Sequence, residues 1–171
     1  MLDQTQPDVL VLDHDLAHAD GLAVCLRVKR RAQAPAVVVY AAFAGPALAL
    51  AARAAGADAL VDKADPVARL LDAIRTAATG ASALPPASPG AYAAATERLD
   101  DEDLPLLAML LDGAGLDDIA ATSRSHPGEI AWRAQRIVGR LCPGLRQRPV
   151  GDPGAAAARR DDGRTAAGPL R

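Results

Sequence analysis

The apolar run Asp8-Val9-Leu10-Val11-Leu12 stops abruptly at Asp13, His14 and Asp15, with His18 and Asp20-Gly21 close behind. Three chemistries suit such residues. Histidines four apart among carboxylates ligate a transition metal when the segment is helical and a second half-site exists. A carboxylate leaving the end of a strand can attack a phosphoryl donor and hold the group as an acyl phosphate. Aspartates followed by glycine can also form a plain polar loop. The metal reading wants a second cluster of His, Cys or Glu, and the sequence has none. Acyl phosphate chemistry wants a divalent cation and a positive charge near the phosphoryl oxygens. Lys63, just after Ala59-Leu60-Val61, is placed to supply that charge.

Whether Asp13 and Lys63 can meet depends on the elements that carry them. Residues 8–12, 36–40 and 59–61 are short aliphatic runs of the kind buried on both faces of a parallel sheet. Between and after them lie helical patterns over 22–28, 46–55 and 66–79. The order β-α-β-α-β-α predicts an α/β sheet with right-handed crossovers. In such sheets ligands gather beyond the carboxyl ends of the strands, and both Asp13 and Lys63 leave a strand at that end.

Residues 80–96 have the composition of a linker. Three helices follow, over 101–113, 116–122 and 125–141, and their tight connections predict a helix-turn-helix module. On a helical wheel Ile130, Ala134, Ile137, Val138 and Leu141 form one stripe, which should be buried. Glu129, Trp132, Arg133, Arg136 and Arg140 fall on the opposite side, giving an arginine row expected to face solvent. Beyond Pro143 the Pro, Gly, Ala and Arg composition predicts disorder.

The net charge of −2 gives the whole chain no electrostatic footprint for nucleic acid, but its distribution is uneven. Residues 81–142 carry nine acids against five bases, whereas the stretch from Arg124 to Arg171 carries ten bases against four acids. Arginine can contact phosphate or read guanine, so Arg124, Arg133, Arg136 and Arg140 are the candidate DNA contacts. The 2 cysteines, Cys25 and Cys142, have no metal-ligand spacing, which fits a reducing compartment. No signal peptide and no membrane-length apolar run is visible, so the expectation is a cytoplasmic protein without membrane contact.

The stretches PDVLVLDHDLAHADGL and VVVYAAFAGPALALAARAAGADALVDKADP resemble the receiver domain of a bacterial two-component response regulator, as does the Leu-Pro-Pro after the last helix of that part. Asp20-Gly21 stands seven residues after Asp13, the family's spacing from phosphoacceptor to its "DG". The resemblance implies that Asp13 is the phosphoacceptor, Lys63 the phosphate-contacting cation, and that Asp13 with the Asp15 carbonyl would ligate Mg²⁺. Residues 99–142 resemble the LuxR/NarL-type helix-turn-helix, Ile119-Ala120 matching the core of its scaffold helix. The expected architecture is thus α/β plus all-α: a partial flavodoxin-like receiver (1–80) with three strands, a linker (81–98), a helix-turn-helix domain (99–142) and a disordered basic tail (143–171).

By that resemblance the chain is a DNA-binding transcriptional regulator rather than an enzyme, a homodimer served by a sensor histidine kinase. An interaction module that binds protein instead of DNA is the alternative. A metal-dependent phosphohydrolase built on Asp13 and Asp15 lacks a second acidic cluster. Several positions depart from the family. Nothing before Pro7 corresponds to the family's first strand and acidic pair, so an upstream start is expected, and Mg²⁺ binding is conditional on those residues. Ala41 stands where a hydroxyl is usual, Leu60 where the switch aromatic falls, and Ala17 at a usual proline. Glu129 and Ala131 replace a threonine and a lysine of the recognition helix. Impaired phosphorylation is the expected consequence.

Overall fold

The computed structural model describes residues 5–17 and 19–142. His18 and the tail expected to be disordered lie outside the described residues.

Strand β1 (Val9–Asp13) leads into a two-residue antiparallel pair, β2 (Asp15–Leu16) and β3 (Ala19–Asp20), and then helix α1 (Gly21–Lys29). β4 (Ala36–Ala41), α2 (Pro46–Ala54), β5 (Ala59–Asp62) and α3 (Val67–Ala78) complete the α/β part. The three long strands pair in parallel in the order β1-β4-β5, so the expected three-stranded parallel sheet is present. Val37, Val38 and Val39 of the central strand are fully buried, which explains why β4 reads as an unbroken aliphatic run. β1 lies at the sheet edge, with Val11 42% exposed.

Local signals set the helix boundaries. Asp20 caps α1, its side chain accepting from the Leu22 N–H at 2.8 Å. Pro46 opens α2, where its missing N–H costs nothing. Gly21 has a steric duty as well: a Cβ there would collide with the Asp13 carbonyl and the His14 backbone. The Gly21 N–H donates to the His14 carbonyl at 3.0 Å, tying the start of α1 to the end of β1.

The segment expected to be a linker is structured. Ala83 bridges to Ala59 alongside β5, and Pro89–Thr96 forms helix α4, capped by Ser88. Ser-Pro at a helix start is a cap followed by a proline at the first helical position, a signal masked by the surrounding Gly, Ala and Pro. Next come a 3₁₀ turn (Asp101–Asp103), α5 (Leu104–Leu111), α6 (Leu116–Ser123) and α7 (Pro127–Leu141). The predicted stripe of α7 is buried: Ile130, Ala134, Ile137, Val138 and Leu141 are each at most 2% exposed.

The helical part does not fold apart from the sheet. α2 lies against α4, α5 and α7, and α1 also touches α7. One cluster of buried side chains runs from Leu12, Leu26 and Leu50 through Leu107 to Ile137. With few aromatics available, this aliphatic core gains depth by being shared. A second, smaller cluster under α3 holds Val38, Ala59, Val61, Ala73 and Ala77.

Candidate functional site

Asp13 is the last residue of β1 rather than the first of the loop, and it sits in register with Tyr40 of β4. Lys63 follows Asp62, the last residue of β5. The central strand therefore separates the two, and both emerge at the same carboxyl end. The Lys63 Nζ reaches across to Asp13 Oδ2 at 2.7 Å and lies 5.7 Å from the centroid of the Tyr40 ring. The Lys63 backbone N–H donates to the Ala41 carbonyl at 2.7 Å, which anchors the base of that reach.

Two further groups of the segment have structural duties. The Asp15 N–H donates to Asp13 Oδ1 at 3.0 Å, and the Asp20 side chain caps α1. One carboxylate of the cluster thus faces Lys63, and another closes a helix. The hydrogen bond from Lys63, then that from Asp15, holds the Asp13 carboxyl below its ordinary value of 3.8. An anionic oxygen is thus present at neutral pH.

Two residues that sequence reasoning passed over belong to this mouth. Tyr40 contributes its ring beneath the Lys63 ammonium. The Asp62 carboxylate accepts from the Ala44 N–H at 2.9 Å and the Ala64 N–H at 2.8 Å, joining the β4–α2 and β5–α3 loops. These bonds, with that from Ala64 the stronger, hold its carboxyl below the ordinary value and favour the anion. A short acid directly before a loop is the signal that marked it. Ala41 is fully buried and carries no side-chain hydroxyl.

The arginine row of α7 departs from expectation. It does not stand free in solvent, because the 3₁₀ turn before α5 packs against it. Arg133 donates through Nε and Nη2 to Asp103 Oδ1 at 3.3 and 3.1 Å, and through Nη2 to the Glu102 carbonyl at 2.6 Å. Arg136 Nη2 reaches Asp103 Oδ2 at 2.6 Å, and Arg140 Nη1 reaches Asp100 Oδ2 at 2.7 Å. Asp103 is fully buried. Burial pushes its carboxyl up, but the guanidiniums of Arg136 and Arg133 outweigh that and leave it below the ordinary value. Arg124 stands apart, exposed in the α6–α7 turn with a left-handed backbone at φ 54°.

Residues 1–75 match the family model of the response regulator receiver domain. The match takes in 75 of the 171 residues. Two solved structures of the response regulator RcsB overlap more of the chain. A two-component response regulator RcsB–DNA complex is 19% identical, covering 82% of this chain and 71% of its own, with a TM-score of 0.45. RcsB from Salmonella enterica serovar Typhimurium, bound to a promoter in the presence of a phosphomimetic, is 18% identical over the same shares at a TM-score of 0.46. No curated protein matches the sequence.

The resemblance implies Mg²⁺ at Asp13 and the Asp15 carbonyl. Magnesium takes octahedral oxygen ligands, usually one or two carboxylates with several waters. Here Asp13 has one oxygen on Lys63 and the other on the Asp15 N–H. Among the described residues no group of three His, Cys, Asp or Glu is placed to hold a metal. The described residues do not make up a magnesium site. Among them, too, no helix is long and apolar enough to cross a membrane.

Proposed function

We propose that this chain is a response regulator of a two-component system. In this reading Asp13 accepts a phosphoryl group from a sensor histidine kinase, Lys63 faces that group, and α6 with α7 binds DNA in a homodimer that regulates transcription. The observation that carries it is the 2.7 Å contact between Lys63 Nζ and Asp13 Oδ2, made across the central strand at the carboxyl end of a parallel sheet. In the transfer an Asp13 oxygen attacks phosphorus and the phosphorus–nitrogen bond to the donor histidine breaks. The electron pair stays on the histidine nitrogen. The Lys63 ammonium then neutralises charge on the phosphoryl oxygens.

One feature of this chain lowers its efficiency as an acceptor: Ala41 brings no hydroxyl to a phosphoryl oxygen. Phosphorylation is therefore impaired in this chain. Incubation with a small phosphodonor and Mg²⁺, read by mass spectrometry, should give a trace of label confined to Asp13 and absent from Asp13→Asn. Stoichiometric labelling would refute the impairment, and label confined to another residue would refute the acceptor.

A protein-binding helical part without DNA contacts is the second reading. It is favoured by one observation, the pairing of Arg133, Arg136 and Arg140 with acids of the same chain. Anisotropy titrations separate the two. DNA binding whose affinity falls steeply with salt supports the regulator, and no binding at low salt supports the interaction module.

A further inference from the structure

With its arginines drawn toward Asp100 and Asp103, the outer strip of α7 presents a different side chain. Trp132 is 60% exposed, between exposed Glu129 and Gln135. The guanidinium of Arg136 lies 4.9 Å from the centre of its ring and covers one face. Arg136 is itself fixed by its bond to the buried Asp103. The indole is therefore held in place by a chain of contacts reaching into the protein, yet 60% of the residue stays exposed. A large apolar ring left in water and held rigid is preorganised for a partner.

The charges beside it indicate which partner. A guanidinium has five N–H groups, and Arg136 spends one on Asp103. Arg136 borders the ring, and Arg133 and Arg136 keep 25% and 33% of their side chains exposed, which leaves guanidinium surface for an anionic backbone. Trp132 also lies in the first half of α7, the end of a second helix that enters the major groove in helix-turn-helix proteins. The one apolar group in that groove is the thymine methyl.

We propose that Trp132 is the base-reading residue of α7 and that it selects sites carrying a thymine methyl, while the neighbouring arginines hold it and touch phosphate. The inference rests on the DNA-binding reading. It differs from a plain arginine readout in what the DNA must contain. Removing one methyl from an apolar contact should weaken binding about fourfold.

Because Trp132 is the only tryptophan, its emission reports on this site alone. Duplexes retained by the full chain from a random-sequence pool are reamplified with either dTTP or dUTP and titrated. The expected result is a change in tryptophan emission on binding and about fourfold weaker binding of the uracil duplexes. Trp132→Ala should bind both equally weakly, and Trp132→Phe should keep the preference for thymine. Equal affinity of the unaltered protein for both duplexes overturns the proposal while leaving DNA binding intact. No retained duplex at low salt overturns the DNA-binding reading and this inference with it.

Discussion

Asp103→Asn should cost far more than a surface substitution in an acidic turn. The carboxylate is fully buried and receives three guanidinium N–H bonds, two from Arg133 and one from Arg136. Removing one partner of a buried pair costs about 3–5 kcal/mol. The arginines here are a quarter to a third exposed and can turn to water, which brings the expectation down to about 2–3 kcal/mol. Urea denaturation at neutral pH measures it. One shared core predicts a single transition in which the α/β and helical parts unfold together. The pH dependence adds a second check. Because Asp103 ionises below 3.8 in the folded chain, its contribution is present above that value and is lost as pH falls through the depressed one. The gap between wild type and variant should therefore close in acid. A loss under about 1 kcal/mol at neutral pH would refute the assignment of Asp103 as the centre of a buried ion pair, and so would a gap that persists unchanged in acid.

Three further outcomes follow from single positions. Gly21→Ala would drive a methyl into the Asp13 carbonyl, and urea melts should show a loss of about 1–3 kcal/mol as β1 and α1 are pushed apart. The Cys25 thiol, pushed up to about 12 by burial and bonded to the Ala55 carbonyl, should resist alkylation at mild pH until the chain unfolds. Rapid alkylation of the native protein would contradict that packing. Arg124→Gly should raise stability by about 0.5–1 kcal/mol, because glycine accepts the left-handed backbone without a Cβ penalty. In a titration against DNA it should also reduce the salt slope, if that guanidinium meets phosphate.

Much of the α/β part was legible because its signals are local. Uninterrupted aliphatic runs mark β1, β4 and β5 to within a residue or so, and Asp13 and Lys63 announce themselves by standing where those runs end. Asp62 and Tyr40 were less visible. Their parts depend on which loop or ring the neighbouring strand brings alongside, and no periodicity encodes that. The helix at Pro89–Thr96 was hidden because composition outweighed the Ser88-Pro89 start signal. The ion pairs of the arginine row were hidden for a different reason. A helical wheel places side chains around one axis and knows nothing of what packs beside it, here the turn carrying Asp100 and Asp103. Wheel geometry correctly identified the buried stripe of α7, but it treated everything opposite as solvent-facing.

The central claim is that a carboxylate and an ammonium fifty residues apart in sequence meet at the end of the sheet. A carbodiimide that joins touching carboxyl and amine groups without a spacer tests this in the folded protein. The expected product is an isopeptide bond between Asp13 and Lys63, found by mass spectrometry of the digest and missing from Lys63→Met. Coupling of Lys63 to other carboxyls while Asp13 remains unmodified would contradict the site and the acceptor chemistry built on it.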